Sequence, residues 1–285
     1  MELKFRFLTL DDMPAIRRLS DSMDLRNDPK IGETAEGIIN DPSCDLYGAF
    51  VEGILVGVGG LRTLTKQYAW IEDVRIHGDY QKMGVGTEIF HYGEELARKR
   101  DCAIVAYQTI TENKGSCRIG EKLGFNRSHE MTAFYIRKEE NPIQRADVPN
   151  LEPVQPKEAF SLIGEIPNAP TEEICIGWAY RPLVTSIFDD NVDMNFFALE
   201  DTLALEVRER NPKTGEVQLV KAVIYGTEKN VVSLLEGIRG RNKNVEWIFC
   251  LVPEPLVSTV EGTDFKYGCV WNGEKNIVVL FKKHL

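Results

Sequence analysis

The residues best placed to do chemistry lie in one short run, Gln81-Lys82-Met83-Gly84-Val85-Gly86. It follows a β-branched stretch ending Val74-Arg75-Ile76 and precedes an amphipathic segment that begins at Thr87. Glycines at a strand-to-helix turn put no Cβ in front of the backbone, and a helix start adds N–H donors and the positive end of its dipole. Such a bend holds an anion, for example a pyrophosphate, on main-chain donors without needing cationic side chains. A turn that merely happens to contain two glycines is the competing reading. Other phosphate loops fit worse. There is no G-x-x-x-x-G-K-[ST] run, and a dinucleotide fingerprint needs a small residue where Ile89 stands. Upstream, Glu72 is a candidate proton acceptor, because strand alternation puts Trp70, Glu72 and Val74 on one face and Asp73 on the other. An exposed or ion-paired Glu72 is the plain alternative.

The elements around this run follow from periodicity. Leu3–Leu8 alternates as a strand, and Met13, Ile16 and Leu19 recur at helical spacing. A short helix is expected over Glu33–Ile39. Leu46–Val51 and Ile54–Leu61 are strands joined at Glu52-Gly53, a hairpin signal. Tyr68–Ile76 is a strand, Thr87–Arg100 a helix, Cys102–Thr109 a buried strand, Lys114–Leu123 a helix and Met131–Ile136 a closing strand. The glycine run Gly57-Val58-Gly59-Gly60 falls inside a strand pattern, where a bulge or a close backbone approach explains it.

Composition narrows the classes. The chain has 285 residues, 43% hydrophobic and 27% charged, enough apolar material for one large domain or two medium ones. No apolar run reaches the ~20 residues a bilayer span needs, and the start lacks the form of a secretory signal, so no membrane partner and a cytoplasmic location are expected. The six cysteines are scattered with no C-x-x-C pair, which suits reduced thiols and no metal site. The net charge of −10 argues against nucleic acid as a partner. Residues 1–138 come to about −2 and 139–285 to about −8, and four prolines lie between Glu139 and Pro156. The expected division is a first domain over 1–140, a linker over 141–156 and a second domain over 157–285.

About 30 residues after Gly84 comes Asn113-Lys-Gly-Ser-Cys-Arg-Ile-Gly-Glu-Lys-Leu-Gly-Phe125. Together the two segments resemble the GNAT family, the GCN5-related N-acetyltransferases. The first is similar to its Q/R-x-x-G-x-G/A signature, the second to a helix opened by Asn and ending Glu-Lys-Leu-Gly-Phe. The resemblance covers residues 3–138. It implies a mixed, mostly antiparallel sheet flanked by helices, and acetyl-CoA as co-substrate. The main chain of Val74, Arg75 and Ile76 would hold the pantetheine arm. The amides of Lys82, Met83, Gly84, Val85, Gly86 and Thr87 would hold the pyrophosphate, with Gln81 starting the turn. Asn113 would contact the pantetheine or fix the strand end. Glu72 would take a proton from the acceptor's ammonium to give the neutral amine that attacks. One departure stands out: where many members carry a Tyr that protonates the leaving thiolate, this chain has Gly120.

In the second half, Phe197–Glu209 and Val217–Tyr225 are expected as strands around Asn211–Gly215. Lys229–Arg239 is expected as a helix, Val245–Val252 as a strand, Pro255–Val260 as a short helix and Asn276–Phe281 as a last strand. This order fits a degenerate GNAT-like copy without the glycine bend, or else an unrelated α+β cap. Such a domain completes the acceptor pocket, masks an edge strand or forms a homodimer face. The expected activity is acetyl transfer to a primary amine of a small molecule or amino acid, by direct attack in a ternary complex. A protein or peptide amine as acceptor, and a non-catalytic acyl-CoA sensor, are the alternatives.

Overall fold

The computed structural model describes residues 1–23, 31–140, 149–177, 179–184, 193–211, 214–268 and 276–285. The chain forms two compact units, Met1–His129 with Leu280–Leu285, and Glu130–Val279. Among the described residues no helix is long and apolar enough to cross a membrane.

The first unit contains β1 (Lys4–Phe7), α1 (Met13–Asp21), α2 (Ile31–Ile39), β2 (Cys44–Val51), β3 (Ile54–Thr65), β4 (Tyr68–Ile76), α3 (Val85–Lys99), β5 (Ile104–Ile110), α4 (Lys114–Lys122) and the start of β6 (Asn126–Arg137). β1 through β5 are neighbours in chain order, with Leu280–Leu285 beside β5. The pairs are antiparallel except β4–β5, which α3 crosses over and which is parallel. A capping box between Thr9 and Asp12 opens a 3₁₀ turn, Leu10–Asp12, that leads into α1, which has a proline in its own first turn. Met13, Ile16 and Leu19 then bury its inner stripe, roughly 1.5–3 kcal/mol each. Against them pack Ile31 and Ala35 of α2 and Leu46, Leu55 and Val58 of the sheet. Glu52 and Gly53, both at positive φ, make the tight β2–β3 turn.

On the opposite face, α3 buries Val85, Ile89, Phe90, Leu96 and Ala97. A Cβ on Gly59 would stand 2.7 Å from Ile89 Cγ2 and 2.9 Å from the Tyr47 ring, so the glycine run in β3 marks a close helix-to-strand approach. A bulge is present as well, and the extra residue is in β4. The register steps from Val58–Arg75 to Gly60–Glu72, and Asp73 takes a φ of 53°.

The second unit adds α5 (Pro156–Ile163), β7 (Glu173–Ile176), β8 (Ala179–Pro182), β9 (Met194–Leu199), β10 (Thr202–Arg210), β11 (Val217–Tyr225), α6 (Glu228–Arg241), β12 (Trp247–Val252), α7 (Val257–Glu261), β13 (Lys266–Tyr267) and the first four residues of β14 (Asn276–His284), whose remainder belongs to the first unit. β9, β10 and β11 pair antiparallel, β11 and β12 parallel across α6, and β12 pairs antiparallel with Thr132–Arg137 of β6. Leu234, Leu235 and Ile238 of α6 pack on Ala222, Ile224, Ile248 and Cys250. The strand expected over Phe197–Glu209 is in fact a hairpin: Glu200, at a φ of 49°, and Asp201 turn the chain between β9 and β10. The two acidic residues interrupt an apolar run too briefly to register as a loop in a periodicity reading.

The compositional boundaries also differ from the compact units, whose division falls inside β6. Residues 141–148 and Cys269 lie outside the described residues. The rest of the proline-rich stretch is packed: Leu151 is buried, the Val154 N–H donates to the Phe196 carbonyl at 2.8 Å, and Pro156 opens α5. Proline density records local loss of periodicity, whereas unit membership depends on pairing between distant segments.

Candidate active site

Parallel pairing of β4 with β5 runs from Tyr68–Ile104 only as far as Trp70–Ala106. β4 continues to Ile76 and β5 to Ile110, so the two strands part over Val74, Arg75 and Ile76 while β4 stays paired to β3, Arg75 opposite Val58 and Ile76 opposite Gly57. Where β4 ends, a short 3₁₀ turn, Gly78–Tyr80, redirects the chain. The His77 N–H is fixed to the Val56 carbonyl at 2.9 Å and the Gly78 N–H to Ser22 Oγ at 3.2 Å.

The bend follows. Gln81, Lys82, Met83 and Gly84 are exposed, Val85 and Gly86 are buried, and Thr87 is half-buried. Lys82 and Gly84 hold φ values of 62° and 88°. Gly84 is the N-cap of α3, and no side chain caps it. The first-turn amides of α3 have no acceptor four residues back within the helix, and the positive end of the helix dipole lies at this bend. A Cβ on Gly84 would meet nothing within 4 Å. Gly86 lies against Ile76 and Ile119, where a Cβ would come within 2.8 and 3.0 Å of their side chains. The bend is thus anchored underneath and open above, a donor set that fits the diphosphate of coenzyme A. The parted strands beside it fit an extended arm.

Asn113 lies at the N-cap of α4, where its Oδ1 accepts the Ser116 N–H at 3.1 Å. Glu72 lies on the α1–α2 side of the sheet: its Cγ is 3.2 Å from where a Gly60 Cβ would be, next to Cys44 Sγ. The bulge at Asp73 interrupts the alternation, so the expected sharing of one face by Glu72 and Val74 does not carry across it. Glu72 Oε1 accepts from Arg62 Nε at 2.9 Å and lies 2.7 Å from Arg62 Nη2, with the Glu72 and Arg62 side chains 17% and 22% exposed. Arg62 also binds Asp41 and, at 2.7 Å, Ser43 Oγ. The ion pair is the alternative the sequence left open for Glu72; the partners Arg62, Asp41 and Ser43 were not identified there. The available signal was a basic residue on one strand diagonal to an acidic one on the next, which needs the hairpin register to be recognised.

Two cysteines flank the region. Burial and the neighbouring Glu72 carboxylate push the Cys44 thiol up to about 12. Burial also raises Cys117, whose Sγ lies 3.7 Å from the Ile110 carbonyl. Neither environment favours a thiolate.

Residues 12–125, which include the parted strands and the bend, match the model of the acetyltransferase (GNAT) family. They form a GNAT acetyltransferase domain. No curated protein sequence matches the chain. Solved structures with the same fold include a candidate acetyltransferase of Thermoplasma acidophilum, at 14% identity and a TM-score of 0.64, covering 99% of this chain and 100% of the other. A candidate acetyltransferase of Pyrococcus horikoshii aligns at 14% identity and 0.59, covering 99% and 89%. A tandem GNAT protein from the clavulanic acid biosynthesis pathway aligns at 14% and 0.57, covering 99% and 98%.

The second unit is a GNAT-like copy. Its β9-β10-β11-α6-β12 order repeats β2-β3-β4-α3-β5 of the acetyltransferase domain, parallel pair included. Two features separate the copies. β11 and β12 stay paired over five residues, Leu219–Val223 with Trp247–Leu251. The start of α6 is lined by the protein's own carboxylates: Asp201 Oδ1 accepts from Thr227 Oγ1 at 2.8 Å and Asn230 Nδ2 at 3.3 Å, and Glu200 Oε2 accepts from Lys229 Nζ at 2.7 Å. A diphosphate there would meet two like charges.

Proposed function

We propose that the acetyltransferase domain transfers the acetyl group of acetyl-CoA to a primary amine of a small molecule or amino acid, in a ternary complex, within the cytoplasm. The observation that carries this reading is the parting of β4 from β5 beside a helix whose N-cap, Gly84, is left without a side-chain cap. In this reading the amides from Lys82 to Thr87 hold the diphosphate, Gln81 starts the turn, and the Val74–Ile76 main chain holds the pantetheine arm. Asn113 keeps the start of α4 in place. Acetyl-CoA supplies the acyl group as a thioester: the amine nitrogen bonds to the carbonyl carbon, and the carbon–sulfur bond breaks. Glu72 accepts, directly or through water, the proton that the acceptor's ammonium must lose before its neutral amine can attack. The leaving sulfur takes its proton from water or departs unassisted, since position 120 offers no hydroxyl. Direct attack is supported by Cys44 and Cys117, both held as neutral thiols. The buried free cysteines suit a reducing compartment.

A second reading, a non-catalytic acyl-CoA sensor, is favoured by the contacts of Arg62 on Glu72 Oε1 together with Gly120. One experiment separates them. The protein is incubated with acetyl-CoA and a panel of amino acids, small amines and peptides, and free thiol and product mass are followed. Thiol release that depends on a small amine supports the transferase, and release only with peptides moves the acceptor to that class. Coenzyme A binding without release supports the sensor. No binding overturns both.

A further inference from the structure

The acetyltransferase domain includes a residue from the far end of the chain. Lys283 Nζ donates to Glu94 Oε1 and Oε2 at 2.9 Å each and to the Leu123 carbonyl at 2.7 Å. Glu94 belongs to α3 and its side chain is 3% exposed, against 22% for Lys283. Leu123 is the C-cap of α4. The ammonium therefore bridges the two helices that follow the two ends of the site: α3, whose start is the glycine bend, and α4, whose start is Asn113.

The chemistry of the contact is directional. An ammonium has three donors, and all three contacts fall on fixed acceptors. A cation at a helix C-terminus is also favoured by the dipole. Lys283 lies over the Phe125 ring at 5.6 Å, and two residues earlier Phe281 stacks on Tyr107 of β5 at 5.0 Å. The C-terminal strand segment is thus seated between α3, α4 and β5. Glu94 is ten residues from Gly84, about 15 Å along one stiff helix, so a rotation of α3 about this anchor moves the bend.

We propose that Lys283 is a positioning residue for the cofactor site: by tying α3 to the end of α4 it holds the bend in register with the opening between β4 and β5. This rests on the reading of the bend as the coenzyme A site. Misplacement of this kind costs binding without removing any group that touches the ligand.

The test uses the full chain with Lys283→Met, Lys283→Arg and the double variant Lys283→Met/Glu94→Gln, reading melting temperature and coenzyme A affinity by calorimetry. Lys283→Met removes both close hydrogen bonds to the buried Glu94 carboxylate and leaves it only the 3.6 Å ion pair with Arg98, so both stability and affinity fall. The double variant removes that charge, and its melting temperature recovers, while coenzyme A affinity stays about tenfold below that of the unaltered protein. Lys283→Arg, which keeps the charge and several donors, restores part of the affinity. Affinity in the double variant that recovers together with the melting temperature overturns the positioning role and leaves a stabilising pair. Should Lys283→Met fail to fold, the double variant carries the comparison. Failure of the unaltered chain to bind coenzyme A would instead sink the cofactor reading itself.

Discussion

A β-carbon built on Gly120 would land on the phenol oxygen of Tyr107, which donates to the Ser116 carbonyl at 2.9 Å. The Tyr107 ring is buried among Phe90, Phe125 and Phe281, and burial raises its pKa, so the hydroxyl stays neutral. A hydroxyl from β5 therefore occupies the room that a side chain on α4 would enter. The departure from the family signature at position 120 is a packing requirement: a tyrosine there has no space while Tyr107 keeps its place.

Gly120→Ala should destabilise the protein by about 1–3 kcal/mol, the usual cost of overpacking. Urea unfolding measures it. Adding Tyr107→Phe should return part of the loss, because the clash is with the hydroxyl. Strict additivity of the two changes would show that they do not share this contact.

Glu72→Gln keeps the side-chain shape and one acceptor for Arg62 but removes the basic oxygen. Acetyl transfer should fall about 10²-fold while coenzyme A affinity is unchanged. A full rate at neutral pH would exclude Glu72 as the base. The measurement is steady-state thiol release beside calorimetry.

Asp41 gives a pH dependence with a defined sign. Its hydrogen bonds from Arg62 and Ser43 hold its carboxyl down at about 2, against an ordinary 3.8. The folded state therefore binds the proton less readily than the unfolded chain. The contribution is complete above pH 3.8 and disappears as pH falls through about 2. In Asp41→Asn the melting temperature should fall less steeply over that acid window than in the unaltered protein. Thermal melts from pH 5 to pH 2 check this.

Calorimetry should give one coenzyme A per chain. The start of α6 is lined by Glu200 and Asp201, and β11 stays paired with β12 where β4 leaves β5. Two equivalents per chain would contradict this account of the second copy.

What the sequence determined by itself is local. The bend Gln81–Gly86, the strand Tyr68–Ile76 before it, the helix after it and the Glu52-Gly53 hairpin all follow from residue types at short spacing, because φ preferences, capping and periodicity act over a few residues. Tertiary structure decided everything that depends on which distant segments meet. The bulge at Asp73 exists only against Gly59, and Arg62 reaches Glu72 only once β3 and β4 are in register. Tyr107 excludes a side chain at position 120 across a strand–helix contact, and Lys283 joins the first unit from 189 residues beyond Glu94. Pairing of that range leaves no periodic trace in either partner, since each segment is a satisfactory strand or helix wherever it docks.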